Sequence, residues 1–222
     1  MIAPVVIYFV LSADPAPAAA PAKQVPWEEA AKDNGITIYS REIPGSDVRE
    51  MKAIGTIDAK PQEVWKAIRD YPNYTKTMPY TTEAKVLGQE EGDKVIYFYS
   101  RLDLPLVDNR DYVIKILDES DWKDGAGYLK VSWTKLDVEK GDPRYVAPKD
   151  GVVRTPLNDG YWKLEPRENG NKTWATYYVH TAPGGSVPTW IANKANSTAV
   201  PNVFAAIRKV VADDRAKAAA KK

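Results

Sequence analysis

Two hydrophobic periods alternate along the chain from about residue 35, a period of two in most segments and of 3.6 in a few. Gly35-Ile36-Thr37-Ile38-Tyr39-Ser40-Arg41 alternates as a strand, and residues 48–58 form its expected partner across the Pro44-Gly45 turn. Residues 83–87, 94–102 and 111–117 follow as strands. In the last of these, Ile114 and Ile116 set against Lys115 fix the inward side. In 128–134, Leu129, Val131 and Trp133 oppose Lys130 and Ser132. Beyond a polar loop at 136–150, three more strands are expected at 151–157, 161–165 and 173–181. A short helix is expected at 27–33, started by Pro26 and stopped by Asn34-Gly35. A second helix at 62–71, opened by Pro61, carries Val64, Trp65 and Ile68 on one face. After the Pro183-Gly184-Gly185 turn and residues 187–191 comes a long amphipathic helix. Ser197 or Thr198 is its N-cap, and Pro201 sits near the first turn, where a missing N–H costs little. Its apolar residues Val200, Val203, Phe204, Ile207, Val210 and Val211 share one face.

This order predicts an antiparallel sheet curved around its last helix, an α+β helix-grip. Such a sheet can enclose a cavity in place of a solid core, and a cavity implies a ligand. With 222 residues and 44% apolar content, the chain suits one globular domain with a substantial core. A net charge of +1 offers no electrostatic ground for nucleic acid or an acidic membrane as partner. The lack of cysteine excludes thiolate chemistry, disulfides, Cys-based zinc sites and a lipidated-Cys anchor. His180 is the only histidine, which excludes a multi-His metal site and leaves carboxylates alone to hold a hard cation. No metal or cofactor is expected. Tyr (13) and Trp (7) outnumber Phe (3), and rings with a polar edge suit an apolar pocket with a few hydrogen-bonding groups.

The N-terminus stands apart. Residues 2–11 are an apolar run too short to span a bilayer, followed by a Pro/Ala segment at 14–22. The run resembles the core of a secretory signal peptide cleaved near Ala13 or within 18–20, although the first lysine is Lys23 and a positive start is missing. A longer gene product, an unusual signal or a disordered tail would each account for this. A signal would place the protein in the periplasm or outside the cell, and a tail would leave it in the cytoplasm. The expected organisation is a leader and linker at 1–23, one domain at 24–215 and a charged tail at 216–222.

Several segments also carry a family resemblance. They are Trp27 with Gly35-Ile36-Thr37-Ile38-Tyr39, then Arg110-Asp111-Tyr112-Val113, Gly151-Val152-Val153-Arg154 and Gly160-Tyr161-Trp162-Lys163-Leu164-Glu165-Pro166. The last is Thr176-Tyr177-Tyr178 leading to Pro183-Gly184-Gly185-Ser186-Val187-Pro188. In this order the chain resembles START domains, the lipid-transfer modules related to the steroidogenic acute regulatory protein, from about Trp27 to Val211. The resemblance implies a START or Bet v 1-like helix-grip with a deep apolar tunnel between sheet and C-terminal helix, holding one lipid-like molecule.

Strand phase nominates Tyr97, Tyr99, Tyr112, Ile114, Ile116, Trp133, Trp162, Leu164, Tyr177 and Val179 as tunnel residues, with Ala199, Val203 and Ile207 from the helix. Each taken singly fits a filled core as well; large rings facing small or β-branched residues, as a set, argue for a cavity. Some sterol-carrying relatives place an acid and an arginine in the tunnel. Those positions align with Tyr97 and Ile116, so phenols would supply any hydroxyl recognition. Arg110 and Asp111 match a family pair and are expected to anchor the strand edge and its loop, and Arg154 matches a family arginine expected to make a structural salt bridge; both could instead border the tunnel mouth. Polyketide cyclases share the architecture, but His180 lies in the opposite strand phase to Tyr177 and Val179, and no Ser-His-Asp pattern, phosphate loop or dinucleotide fingerprint occurs. The expectation is a monomeric, non-enzymatic carrier of a phospholipid, fatty acid or sterol-like lipid, with residues 102–109 and 136–150 as lids and transient membrane contact. A cyclase, or a sensing module that recruits a protein when liganded, are the alternatives.

Overall fold

The computed structural model describes residues 25–104 and 107–221, and within 189–197 the helix backbone alone. The signal-like run, the Pro/Ala linker, Pro105 and Leu106 lie outside the described residues. Strands β1 (Glu28–Asp33), β2 (Ile36–Arg41) and β3 (Glu50–Ile57) come first. Helix α1 (Pro61–Arg69), a 3-10 turn (Tyr71–Asn73) and the single-turn α2 (Tyr74–Thr77) follow. Then come β4 (Thr81–Glu90), β5 (Val95–Leu102), β6 (Asn109–Asp118), β7 (Asp121–Lys123), β8 (Ala126–Lys135), β9 (Val152–Arg154), β10 (Leu157–Arg167) and β11 (Lys172–Ala182), and the chain closes with α3 (Thr189–Ala219). The sheet runs β1-β2-β3-β11-β10-β8-β6-β5-β4, antiparallel along this path. β7 pairs with β8, and β9 lies parallel to the start of β6. This is the expected α+β helix-grip.

Two expectations about helices need correction. Residues 27–33 are not a helix: Glu28–Asp33 is strand β1, exposed along its whole length. Asn34 (φ 46°) and Gly35 (φ 72°) are both left-handed, and such an Asn-Gly pair closes a two-residue hairpin to β2. The dipeptide that looked like a helix stop is a hairpin turn. The long helix, in turn, does not begin at Ser197 or Thr198. It begins at Thr189 after Pro188, and Pro201 lies inside it. The proline cannot donate to the carbonyl four residues back, yet the helix continues through it.

The core divides along α3. Its C-terminal half buries Phe204, Ile207 and Val211 in one cluster with Ile36, Ile38, Ala53, Ile57, Val64, Ile68, Leu164 and Ala175. Polar bonds secure the same half. Arg208 donates to the carbonyls of Asn34 (2.6 Å) and Thr56 (2.7 Å), and Arg215 donates to the Asp58 carbonyl (2.6 Å) and pairs with Glu63 (2.7 Å). The N-terminal half of α3 covers a void.

Candidate functional site

Between that half of α3 and the sheet lies a cavity of about 620 Å³. Its sheet wall carries Phe98 of β5, Tyr112, Ile114 and Ile116 of β6, Val131 and Trp133 of β8, Trp162 of β10, and Tyr177 and Val179 of β11. Ala199, Val200 and Val203 of α3 face it, and Ile68, Tyr71 and Tyr74 close one end. Tyr80, Leu104, Val107, Pro183 and Val187 line the other end, where Tyr80 and Thr198 are exposed and form the rim.

Sheet register dictates this wall. Phe98 pairs with Ile114 across β5–β6, and paired residues share a face. Trp133 lies opposite Gly160, where a Cβ would come within 2.2 Å of the indole and 2.5 Å of the Tyr178 carbonyl. Only a glycine lets the ring lie against β10. The indole is then fixed from two sides. Its Nε1–H donates to Asn158 Oδ1 (3.1 Å), and its ring stacks near Tyr177 at 6.0 Å between centroids. Tyr177 stacks on Trp162 at 4.5 Å, and Trp162 leans on Phe204 at 5.5 Å. The aromatic row thus joins the cavity wall to the solid core.

Charge is scarce in this wall. Burial pushes the phenols of Tyr74, Tyr112 and Tyr177 above their ordinary range, so they stay protonated and act as neutral hydrogen-bonding groups. Tyr74 donates to the Ile68 carbonyl at 2.5 Å. Near the rim, Arg110 Nε and Nη2 reach the Pro183 and Gly184 carbonyls, each at 3.3 Å, and Nη1 binds the Asp108 carbonyl. Asp111 points to the other face and pairs with Arg154 through two bonds of 2.6 and 3.0 Å. No aspartate, glutamate, lysine or histidine is among the described lining residues, and no metal-binding cluster occurs among the described residues.

A model of the family described as polyketide cyclase / dehydrase and lipid transport matches residues 57–208. The chain belongs to this START-like family. An uncharacterised protein of Pseudomonas aeruginosa is 33% identical over 168 residues, 75% of this chain and 77% of that protein. The phosphatidylcholine transfer protein of Rattus norvegicus is 24% identical over 177 residues, 79% of each chain. The crystal structure of a STAR-related lipid transfer protein from Xanthomonas axonopodis superposes with a TM-score of 0.71 at 29% identity, covering 83% of this chain and 98% of that one. Human StAR-related lipid transfer protein 5 shares the fold at a TM-score of 0.72 and 20% identity, covering 89% and 90%.

In this START domain nine of the nominated residues line the cavity: Tyr112, Ile114, Ile116, Trp133, Trp162, Tyr177, Val179, Ala199 and Val203. Four do not. Tyr97 and Tyr99 occupy the opposite face of β5, because antiparallel register sets them beside Lys115 and Val113, away from the Ile114–Ile116 side. The Tyr97 hydroxyl donates to Glu90 Oε1 at 2.8 Å, and Arg144 lies 4.4 Å from its ring centroid. Tyr97 therefore supplies no phenol to the cavity; Tyr112 and Tyr177 do. Leu164 and Ile207 face inward but sit fully buried in the packed part of the core. Of the two lids, the described part of 102–109 contributes Leu102, Leu104 and Val107 to the cavity. The 136–150 loop contributes nothing and instead covers the outer side of β4 and β5 through Arg144 and Lys149. His180 is off the cavity, 3.3 Å from Ser46 Oγ.

Sequence reasoning missed Phe98, the Tyr71–Tyr74 end and the polar group of Thr155, Asn158 and Thr181. Phe98 could have been found from the pairing with Ile114. Nothing in a local pattern announces the others, which reach the cavity from short elements and strand ends.

Proposed function

We propose that this START domain binds one lipid in the cavity and carries it between membranes without chemically altering it. The observation that carries the reading is the wall itself. It is an apolar and aromatic enclosure of about 620 Å³ whose described lining holds no carboxylate or imidazole to act as acid or base. That volume corresponds to roughly twenty water-sized groups, enough for one long acyl chain or one fused ring system. Each methylene transferred from water into such a wall contributes about 0.8 kcal/mol, so a chain is retained without strong polar contacts. The lipid-transfer proteins among its relatives support the same reading. Exchange proceeds at the rim, where Tyr80, Leu104 and Val107 offer apolar surface to a bilayer. A cyclase of the same family would need a general base, and the neutral phenols of Tyr112 and Tyr177 are poor candidates.

Transfer of a fluorescent lipid from quenched donor vesicles to acceptor vesicles tests the reading, with Val203→Trp, which fills the cavity from α3, as control. Catalysed transfer by the natural protein and its loss in a folded V203W variant are expected. Equal transfer by both would refute a cavity-borne lipid.

A further inference from the structure

Arg110 opens strand β6 near the rim and is 2% exposed. Strand alternation sends the neighbouring Asp111 carboxylate to the other face, where Arg154 takes it. Among the described residues Arg110 makes no ion pair. Its partners are the main-chain carbonyls of Asp108, Pro183 and Gly184. Carbonyl dipoles occupy three of its five N–H groups but bring no net negative charge. A cation held out of water without a counter-ion is an unfavourable arrangement that natural structures relieve by pairing. The same side chain lines the cavity, beside Thr155, Asn158 and Thr181, and beyond it the described wall is apolar or neutral. Asn158 Oδ1 accepts from Trp133 Nε1 (3.1 Å) and Thr181 Oγ1 (3.3 Å), which leaves its Nδ2 group to donate. The cavity is therefore electrically one-sided, with a positive and donor-rich end near the rim and an aromatic, aliphatic remainder.

We propose that Arg110 receives the oxyanion of an anionic lipid, a carboxylate or a phosphate, with the hydrocarbon running inward past Trp133 and Tyr177. The two unfilled N–H groups of the guanidinium supply charge-assisted bonds to that oxyanion, and Asn158 adds a neutral donor. This rests on the reading that the cavity holds a lipid, and it assigns the ligand's polar end. Arg110 also ties the 183–184 turn to β6, so a ligand charge there reaches the segment that leads into α3.

The test uses matched lipids that differ only in charge. These are oleate against oleyl alcohol for the carboxylate, and oleoyl lysophosphatidic acid against monooleoylglycerol for the phosphate, each displacing a neutral fluorescent probe. The natural protein should prefer at least one anionic partner by about tenfold. Preference in the first pair alone identifies a carboxylate ligand, in the second alone a phosphate. Arg110→Gln keeps a donor to the turn but removes the charge, and should abolish the preference within each pair; Arg110→Lys should retain part of it. Should the Gln variant fail to fold, the natural protein decides the matter. Oleate affinity must fall as pH drops through the fatty acid's own titration while oleyl alcohol affinity stays level. Equal affinity within both pairs, or a preference that survives in R110Q, would overturn the assignment and leave lipid binding standing. Failure of all four lipids to bind would overturn both.

Discussion

A single carboxylate illustrates how residues on distant segments hold the sheet's edge. Glu83 of β4 pairs with Lys149 of the 136–150 loop at 2.6 Å, with Arg101 of β5 at 2.9 Å and with Lys85 at 3.0 Å. Hydrogen bonds from Lys149 and then Lys85 are the main reasons its carboxyl falls from the ordinary 4.5 to about 2. A lowered folded value stabilises the fold above 4.5, and that stabilisation is lost as pH falls through about 2. The pair is partly solvated, so added salt weakens it. Thermal unfolding followed from pH 5 to pH 2 should therefore show a shallower acid loss in Glu83→Gln than in the natural protein; identical slopes would mean the cluster contributes nothing. The same strand pair shows why residue assignments from sequence were uneven. In β6, Lys115 between Ile114 and Ile116 marks the faces by polarity. In β5, Val95 to Ser100 are all buried, because Arg144 and its loop cover the outer side, so no alternation distinguishes Tyr97 and Tyr99 from Phe98. Only the pairing with β6 resolves the phase.

Among the elements, most strands were legible from their period of two; β1 was not, because it is exposed along its whole length and has no buried face to alternate with. The ends of helices were not. Pro201 obeys the rule for a first helical turn, and the rule fails because Pro188 had already started the helix and tertiary packing carries it onward. That misplaced proline has a functional consequence. Arg208 and Arg215 bolt the C-terminal half of α3 to the β1–β2 turn, the end of β3 and α1, and Pro201 interrupts the helix ladder just before that anchored half. The half that roofs the cavity is thus joined to the anchored half through a weakened turn. Proline in a helix interior is about 3 kcal/mol less favourable than alanine. Pro201→Ala should raise the melting temperature and slow lipid release in a stopped-flow displacement experiment. Release at an unchanged rate in a stabilised variant would show that the roof does not gate the cavity.

For the whole molecule, the architecture and family were legible because several motifs stand in one order along nearly the full domain, each tied to a fold requirement. Gly160 leaves room for Trp133, Asp111 takes Arg154, and the 183–185 turn turns β11 into the roof helix. The cavity was legible as a tendency, from large rings on the sheet opposite small residues on the helix. Its limits were not, since Leu164 and Ile207 share the phase of lining residues and differ only in lying under the packed half of α3. Where the core stops and the void begins depends on how far the helix stands off the sheet, which no local pattern encodes. What occupies that void decides whether the protein carries a lipid. Native mass spectrometry of the gently purified protein, with organic extraction to identify anything bound, measures this directly. One lipid molecule per chain, absent from folded V203W, is the predicted result. A protein that is empty as purified and takes up no fatty acid, phospholipid or sterol would contradict it.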